Sequence, residues 1–383
     1  MAEPEVGGRY VLDRSDFPTF LSGLWSAGYR VVGPTLGDGA IVYGDVRQEA
    51  DLPLGWTDRQ EGGVYRLERR NDAALFGYNV GPHSWKKYLF PSRERLWTAH
   101  RVGGSFEVTP EPCDGPPLAF LGMRACELAA LAVQDRVFLG GVADPGYAAR
   151  CHRILRIAVQ CGQAGATCFC VSMKTGPKVE GDVDLILTEL LAPDHHRFLI
   201  AVGSAEGARV LGGVPLRPGT EEAVAAANAT VARAAASMGR HLDTAGIHDL
   251  LLDHPEHPRW ETVAKRCLSC TNCTMACPTC FCSTTEEVPS LDQEKVERWR
   301  RWDSCFTSEF SQVHGASVRK STKSRYRQWM THKLASWYDQ FDSSGCVGCG
   351  RCITWCPVGI DLTEEAAAIR ADPAATKPPG GRG

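Results

Sequence analysis

No apolar run in this chain approaches the ~20 residues that a bilayer span requires. The opening segment, MAEPEVGGRYVLDRSDF, is polar and mixed in charge, without the hydrophobic stretch of a secretory signal. A membrane span is therefore not expected. Neither sign of charge is in marked excess: 42 Lys and Arg stand against 45 Asp and Glu, for a net charge of −3. That balance argues against a nucleic-acid partner. The phosphate-loop pattern G-x-x-x-x-G-K-[ST], a glycine-rich dinucleotide fingerprint and the nucleophile elbow G-x-S-x-G are all missing. His195, His196, His241, His248, His254 and His257 lack metal-ligand spacing and read as surface or core histidines. No side chain stands out as catalytic.

Cysteine is what the chain has in quantity. There are 17 in 383 residues, an odd and high count. With no signal segment expected, thiolate-bound metal in a reducing cytoplasm fits better than a disulfide scaffold. Eight of them form two copies of one pattern. Cys267-x-x-Cys270-x-x-Cys273-x-x-x-Cys277-Pro278 returns, 79 positions later, as Cys346-x-x-Cys349-x-x-Cys352-x-x-x-Cys356-Pro357. This is the ligand run of a two-cluster [4Fe–4S] ferredoxin, in which three cysteines hold one cluster and the fourth, before Pro, reaches the other. The expected sets are Cys267, Cys270, Cys273 and Cys356 for one cluster, and Cys346, Cys349, Cys352 and Cys277 for the second. Zinc also binds paired Cys-x-x-Cys, but zinc ribbons lack the third spaced cysteine and the Cys-Pro.

Cys126, Cys161, Cys168 and Cys170 form another constellation. Cys126 follows an expected strand ending near Gly122, and Cys161 ends one over Ile154 to Gln160. Both would lie at strand C-terminal edges, where open α/β sheets build their sites. Four thiols there could hold a third [4Fe–4S] cluster, or they could be buried structural cysteines. Cys280, Cys282 and Cys305 are one ligand short of a set and could complete a cluster with an oxygen ligand. Cys113 and Cys151 read as structural. The segment Ser84 to Pro91, SWKKYLFP, could contact a partner, line the Cys126 crevice or simply pack as a strand.

The first ~240 residues read as α/β, a length within the ordinary range for a domain. Apolar strand-like runs recur at Tyr29–Val32, Leu118–Leu121, Ile154–Val159, Val183–Leu187 and Phe198–Val202. Helices are expected over Glu127 to Phe138 and over the Ala-rich Glu221 to Met238. From about Leu242 the pattern reads as helical and loop-like, with a helix leading into Cys267. Thr284-Thr-Glu-Glu287 and Thr363-Glu-Glu365 look like helix caps, so a helix is expected after each cysteine run. The 68 residues between Cys277 and Cys346 exceed any compact ferredoxin. The expected fold is thus an α/β N-terminal domain over residues 1–241, followed by an all-α helical dicluster ferredoxin-type domain over 242–372, with a disordered tail at 373–383. The stretch 295–333 is basic, with ten Lys and Arg against three Asp and Glu, and interleaves Trp299, Trp302 and Trp329. Attraction to anionic clusters or to an acidic partner explains it better than nucleic acid.

Together, Ser84 to Pro91, Arg124-Ala-Cys-Glu127, Cys161 with Cys168 to Met173, Cys267 to Cys282, Trp302-Asp-Ser-Cys305 and Cys346 to Cys352 resemble one family. It contains the beta subunits of cytoplasmic NAD(P)-linked [NiFe]-hydrogenases (sulfhydrogenases) and the iron–sulfur electron-transfer subunits of anaerobic sulfite reductases. The residue after Cys126 is often Asp in that family and is Glu127 here. The resemblance implies a non-catalytic, cytoplasmic electron-transfer subunit of an H2:NAD(P)+-type oxidoreductase complex. Single electrons would pass between a neighbouring subunit with FAD and NAD(P)H and a [NiFe] hydrogenase module. The alternative is the same role beside the sirohaem subunit of a sulfite reductase. The other classes are a self-contained reductase acting near Cys126 and a redox-silent iron–sulfur or zinc protein.

Gly348 and Gly350 allow close backbone approach in the second run, where the first has Ser269 and Thr271. The surroundings of the two clusters therefore differ, and so should their potentials. A redox titration followed by electron paramagnetic resonance is expected to give two midpoints; coincident midpoints would contradict this.

Overall fold

Runs rich in Val, Ile, Leu and Phe pair into one eight-stranded sheet. In spatial order its strands are Arg217–Pro218, Arg9–Asp13, His195–Val202, Leu185–Ala192, Ile154–Val159, Leu118–Met123, Arg30–Gly37 and Ala40–Asp45. The four strands Leu185–Ala192, Ile154–Val159, Leu118–Met123 and Arg30–Gly37 run parallel. Both their faces are covered, which is why they read as near-continuous apolar runs. The outer pairings are antiparallel. The structure is a computed structural model and describes residues 4–113 and 115–372. The expected tail 373–383 lies outside the described residues.

One face of this sheet packs on the helix Phe17–Ser26, which buries Phe17, Phe20, Leu21 and Leu24. The other packs on the helix Ala125–Phe138 and the short helices Lys86–Leu89 and Pro145–Cys151. The Ala-rich helix runs Glu221–Ala236. Thr220 caps it by accepting from the Ala223 N–H, and two Glu occupy its first turn. A second core gathers Trp260, Phe306, Tyr326, Trp329, Ile353 and Ile369, with several of the run cysteines packed against it. Among the described residues, no helix is long and apolar enough to cross a membrane.

The expected all-helical second half is wrong. Ser283–Pro289 and Lys295–Trp302 are strands, and Gln312–Val313 pairs with Ala316–Ser317. The first two join the N-terminal strands Arg93–Val102 and Ser105–Pro110 in a four-stranded antiparallel sheet that draws on both halves of the chain. The residues Thr284 to Glu287 therefore form a strand rather than a helix start. A local Thr-Thr-Glu-Glu pattern is overridden by pairing with Lys295–Trp302, whose Trp and Val suit a pleated surface. The basic stretch is answered within the chain: Arg300 pairs with Glu94 and Asp144, Arg95 with Glu297, and Arg93 lies 4.2 Å over the Trp299 ring. After the second run the expected helix is present as Leu362–Arg370, capped by Asp361 rather than Thr363.

A buried ion pair fastens the second cysteine run to the N-terminal half. The Arg351 guanidinium donates to Glu127 at 2.5 Å, and both side chains are essentially inaccessible. Glu127 also accepts from the Tyr43 hydroxyl, the Trp85 indole N–H and the Arg124 backbone N–H, while Arg351 donates to the Gly81 and His83 carbonyls. Removing one partner of such a pair leaves an uncompensated buried charge and costs about 3–5 kcal/mol. Arg351→Met should lower the stability of the cluster-loaded protein by that order in anaerobic thermal unfolding. A loss below about 1 kcal/mol, the worth of an exposed pair, would refute the role given to this contact.

Candidate metal centres

The two cysteine runs share one backbone. In the first, Ser269 and Thr271 have φ of 52° and 71°; in the second, Gly348 and Gly350 at the corresponding positions have 65° and 76°. Each run then enters a one-turn helix at the same offset, Asn272–Met275 and Arg351–Thr354. The left-handed residues turn the chain so that successive thiols face one point. Backbone N–H groups are also aimed at sulfur: Ser269 N–H donates to Cys267 Sγ at 3.4 Å, Gly348 N–H to Cys346 Sγ at 3.5 Å and Ile360 N–H to Cys356 Sγ at 3.3 Å.

The two helical turns pack together, with Asn272 Nδ2 donating to the Trp355 carbonyl. This packing places the fourth cysteines crosswise. Cys356 lines one cavity with Cys267, Cys270 and Cys273, whose wall also includes Cys352, and Cys267 and Cys273 each interact electrostatically with both Cys356 and Cys270. Cys277 interacts instead with Cys346 and Cys352, and Cys349 lies beside both. Cys356 thus lies with the first run's thiols and Cys277 with the second's. Cys270 is exposed; Cys277 and Cys349 are buried.

Lys333 was not legible in the sequence. It sits on the π-helical segment His332–Ser336, buried, and its Nζ donates to Cys277 Sγ at 3.0 Å and Thr279 Oγ1 at 3.1 Å. Extra residues inserted into a helix in this way commonly mark functional positions. The neighbouring Cys280 thiol and the Lys333 ammonium hold Cys277 well below the ordinary thiol range, against its burial. Burial opposes the Lys333 charge, but Cys277, Cys280 and Cys346 outweigh it and keep the lysine protonated. By contrast, burial pushes Cys346 up to about 12.

The third constellation is also gathered. Cys126 opens the helix after Leu118–Met123, and Cys161 lies just beyond Ile154–Val159, so both sit at one edge of adjacent parallel strands. The loop carrying Cys168 and Cys170 closes over them; Cys126, Cys168 and Cys170 each interact with Cys161 and with Cys349. This loop lies directly on the second run. The Phe169 N–H donates to the Gly348 carbonyl at 2.9 Å. A Cβ on Gly348 would stand 2.7 Å from Cys170, and one on Gly350 would stand 2.4 Å from the Thr167 carbonyl oxygen. Glycine is therefore required there on two counts. The first run has Ser269 and Thr271 at these positions, with the Ser269 hydroxyl bonded to that of Thr322.

Cys280, Cys282 and Cys305 lie together on the wall of a separate cavity. Cys151 is bonded to Asp135 and Arg156, and Cys113 is half-buried. The Ser84–Pro91 segment holds a buried short helix, not a strand: Trp85 reaches Glu127, and Lys86 donates to the Cys280 carbonyl. Among the described residues, no three Cys, His, Asp or Glu side chains close on a single point as one metal ion requires. A cubane offers four separate irons, so its thiolates stand farther apart than the ligands of a single ion. Sets of four soft thiols with amide N–H bonds to sulfur suit such a cluster.

Residues 266–360, which contain all eight run cysteines, match the model of a 4Fe-4S dicluster domain. The chain carries a dicluster domain. Over 368 residues it is 28% identical to sulfhydrogenase 2 subunit beta of Pyrococcus furiosus, covering 94% of this chain and 98% of that relative. The likeness that the motifs imply thus extends along nearly the whole of this sulfhydrogenase-beta-like iron–sulfur protein. No solved structure is significantly similar to it.

The unequal use of glycine yields opposite outcomes on substitution. Thr271→Gly should stabilise the loaded dicluster domain by about 1 kcal/mol, by relieving a left-handed β-branched residue. Gly350→Ala should destabilise it by roughly 2 kcal/mol or more, because the Thr167 carbonyl must move. Anaerobic melting followed at the cluster absorption separates the two. Changes of the same sign would show that the turn is not strained in the first run.

Proposed function

We propose that the chain is the electron-transfer subunit of a cytoplasmic hydrogenase complex. It would link a partner subunit binding FAD and NAD(P)H to a [NiFe] hydrogenase module. The observation that carries this reading is one continuous line of thiol sets: Cys267, Cys270, Cys273 and Cys356; then Cys346, Cys349, Cys352 and Cys277; then Cys126, Cys161, Cys168 and Cys170 against Cys349. A relative similar over nearly the full chain is named as a sulfhydrogenase beta subunit, which supports the hydrogenase branch.

When bound, a [4Fe–4S] cluster supplies reversible one-electron uptake. The chain's own residues do the rest. The run cysteines and the Cys126 set each offer four thiolates. The Gly348–Gly350 turn brings the Cys168-Phe-Cys170 loop into backbone contact, so the second and third sets are neighbours. Trp329, Tyr326 and Phe306 wall the first set. Lys333 places a positive charge beside Cys277, which favours the more negative, reduced state of whatever Cys277 ligates. Cys270, the exposed thiol, marks the end of the line nearest the surface.

The test is anaerobic purification of the tagged chain with its partners from its own host, followed by metal and cofactor analysis. Nickel, iron and FAD together are the expected result. Sirohaem without nickel would assign the chain to an anaerobic sulfite reductase, as the electron-transfer component of that enzyme. Isolation without any partner, with turnover by the chain alone, would contradict the conduit role.

A further inference from the structure

Of the five cysteines outside the line just described, the fold brings three together by strand pairing. Cys282 precedes the strand Ser283–Pro289, and Cys305 follows Lys295–Trp302. These strands pair with Ser283 opposite Trp302, and the Asp303 N–H donates to the Cys282 carbonyl at 2.9 Å. The Cys282 and Cys305 thiols interact electrostatically with each other, and both line one cavity with Cys280. Cys280, two residues earlier, stands beside Cys277, which belongs with the second run. Nothing in the pairing of a plain hairpin calls for three thiols on one side of its end.

The surroundings point to an anionic, sulfur-ligated group. Two buried lysines approach from opposite sequence ends. Lys86 Nζ lies 3.1 Å from the Cys280 carbonyl and 3.8 Å from the Trp302 ring centroid, and Lys333 lies between Cys277 and Cys280. Lysines are seldom fully buried without a compensating charge. All three thiols open on a cavity of about 480 Å³ that is also lined by His332, Trp337 and Arg319. The His332 ring makes an edge contact with Phe281, the residue between Cys280 and Cys282. The cavity therefore offers room beside the thiols and cationic or neutral nitrogen groups on its wall, but no fourth cysteine.

We propose that Cys280, Cys282 and Cys305 hold a further [4Fe–4S] cluster through three thiolates, with the remaining iron facing the cavity and open to a small exogenous ligand. The four-thiol sets are closed by comparison. Cys277 would separate this cluster from the second run's by one shared neighbour, so electrons carried along the line reach it. The inference stands whether the partner is a hydrogenase or a sulfite reductase.

The test uses the whole complex, purified anaerobically, with wild-type chain and with Cys282→Ser/Cys305→Ser. The variant should lose about four irons per chain, one cubane's worth, while the dicluster resonances persist. Cyanide added to the reduced wild type should shift one paramagnetic signal, and that signal should be missing from the variant. Unchanged iron content, zinc in place of that iron, or a cyanide-insensitive spectrum would overturn the proposal. Should the variant fail to fold, native wild type treated with iodoacetamide decides the matter. Protection of the three thiols, lost when iron is chelated, is expected; alkylation of the three in the native protein at the rate of free thiols would overturn it.

Discussion

Glu127 and Arg351 form the contact on which the rest of this protein depends. One closes the first turn of the helix that carries Cys126; the other follows directly after the Gly348–Gly350 turn of the second cysteine run. A buried pair of opposite charges is weak evidence for net stability, because both ions lose their water. Its value is in specifying position. Five further hydrogen bonds from Tyr43, Trp85 and Arg124 and to Gly81 and His83 leave little freedom in how the two halves meet. With that register set, the Thr167-Cys-Phe-Cys170 loop can lie against glycine backbone and place its thiols next to Cys349.

From this constraint follows an asymmetry between two otherwise matching runs. Both make the same left-handed turns; the second lies against the Cys168–Cys170 loop and has glycine at those positions, where the first has Ser269 and Thr271. The first faces outward, keeps Ser269 and Thr271 and leaves Cys270 exposed. The second set sits in the interior with the Lys333 ammonium on its crossing cysteine. Burial disfavours added negative charge and a nearby cation favours it, so the two effects oppose each other at the second set. The inner and the outer set thus have different surroundings.

Much of the site was legible because its chemistry forces spacing. Thiols that share a cubane must recur at short fixed intervals, so the two runs could be read from the sequence, and the crossing of Cys277 and Cys356 is the expectation their Cys-Pro ends raise. The central strands were visible because strands covered on both faces are apolar throughout. The four-stranded sheet was not, because its strands are half-exposed and rich in Arg and Glu, and because Thr284 to Glu287 mimics a helix cap. Two of its paired strands lie roughly 200 residues apart, beyond any local pattern. Lys333 was hidden among the ten basic residues of its stretch, and only the π-helical segment turns it inward. Arg351 and Lys86 were likewise ordinary cations until the fold buried them.

The central claim is the grouping of thiols, above all that Cys356 and Cys277 cross and that the Cys126 set joins the line. Anomalous diffraction at the iron edge from anaerobically grown crystals of the complex tests it directly. This arrangement predicts iron density enclosed by Cys267, Cys270, Cys273 and Cys356, by Cys346, Cys349, Cys352 and Cys277, and by Cys126, Cys161, Cys168 and Cys170. Density confined to each run's own four cysteines, or its absence between Cys126 and Cys170, would contradict it.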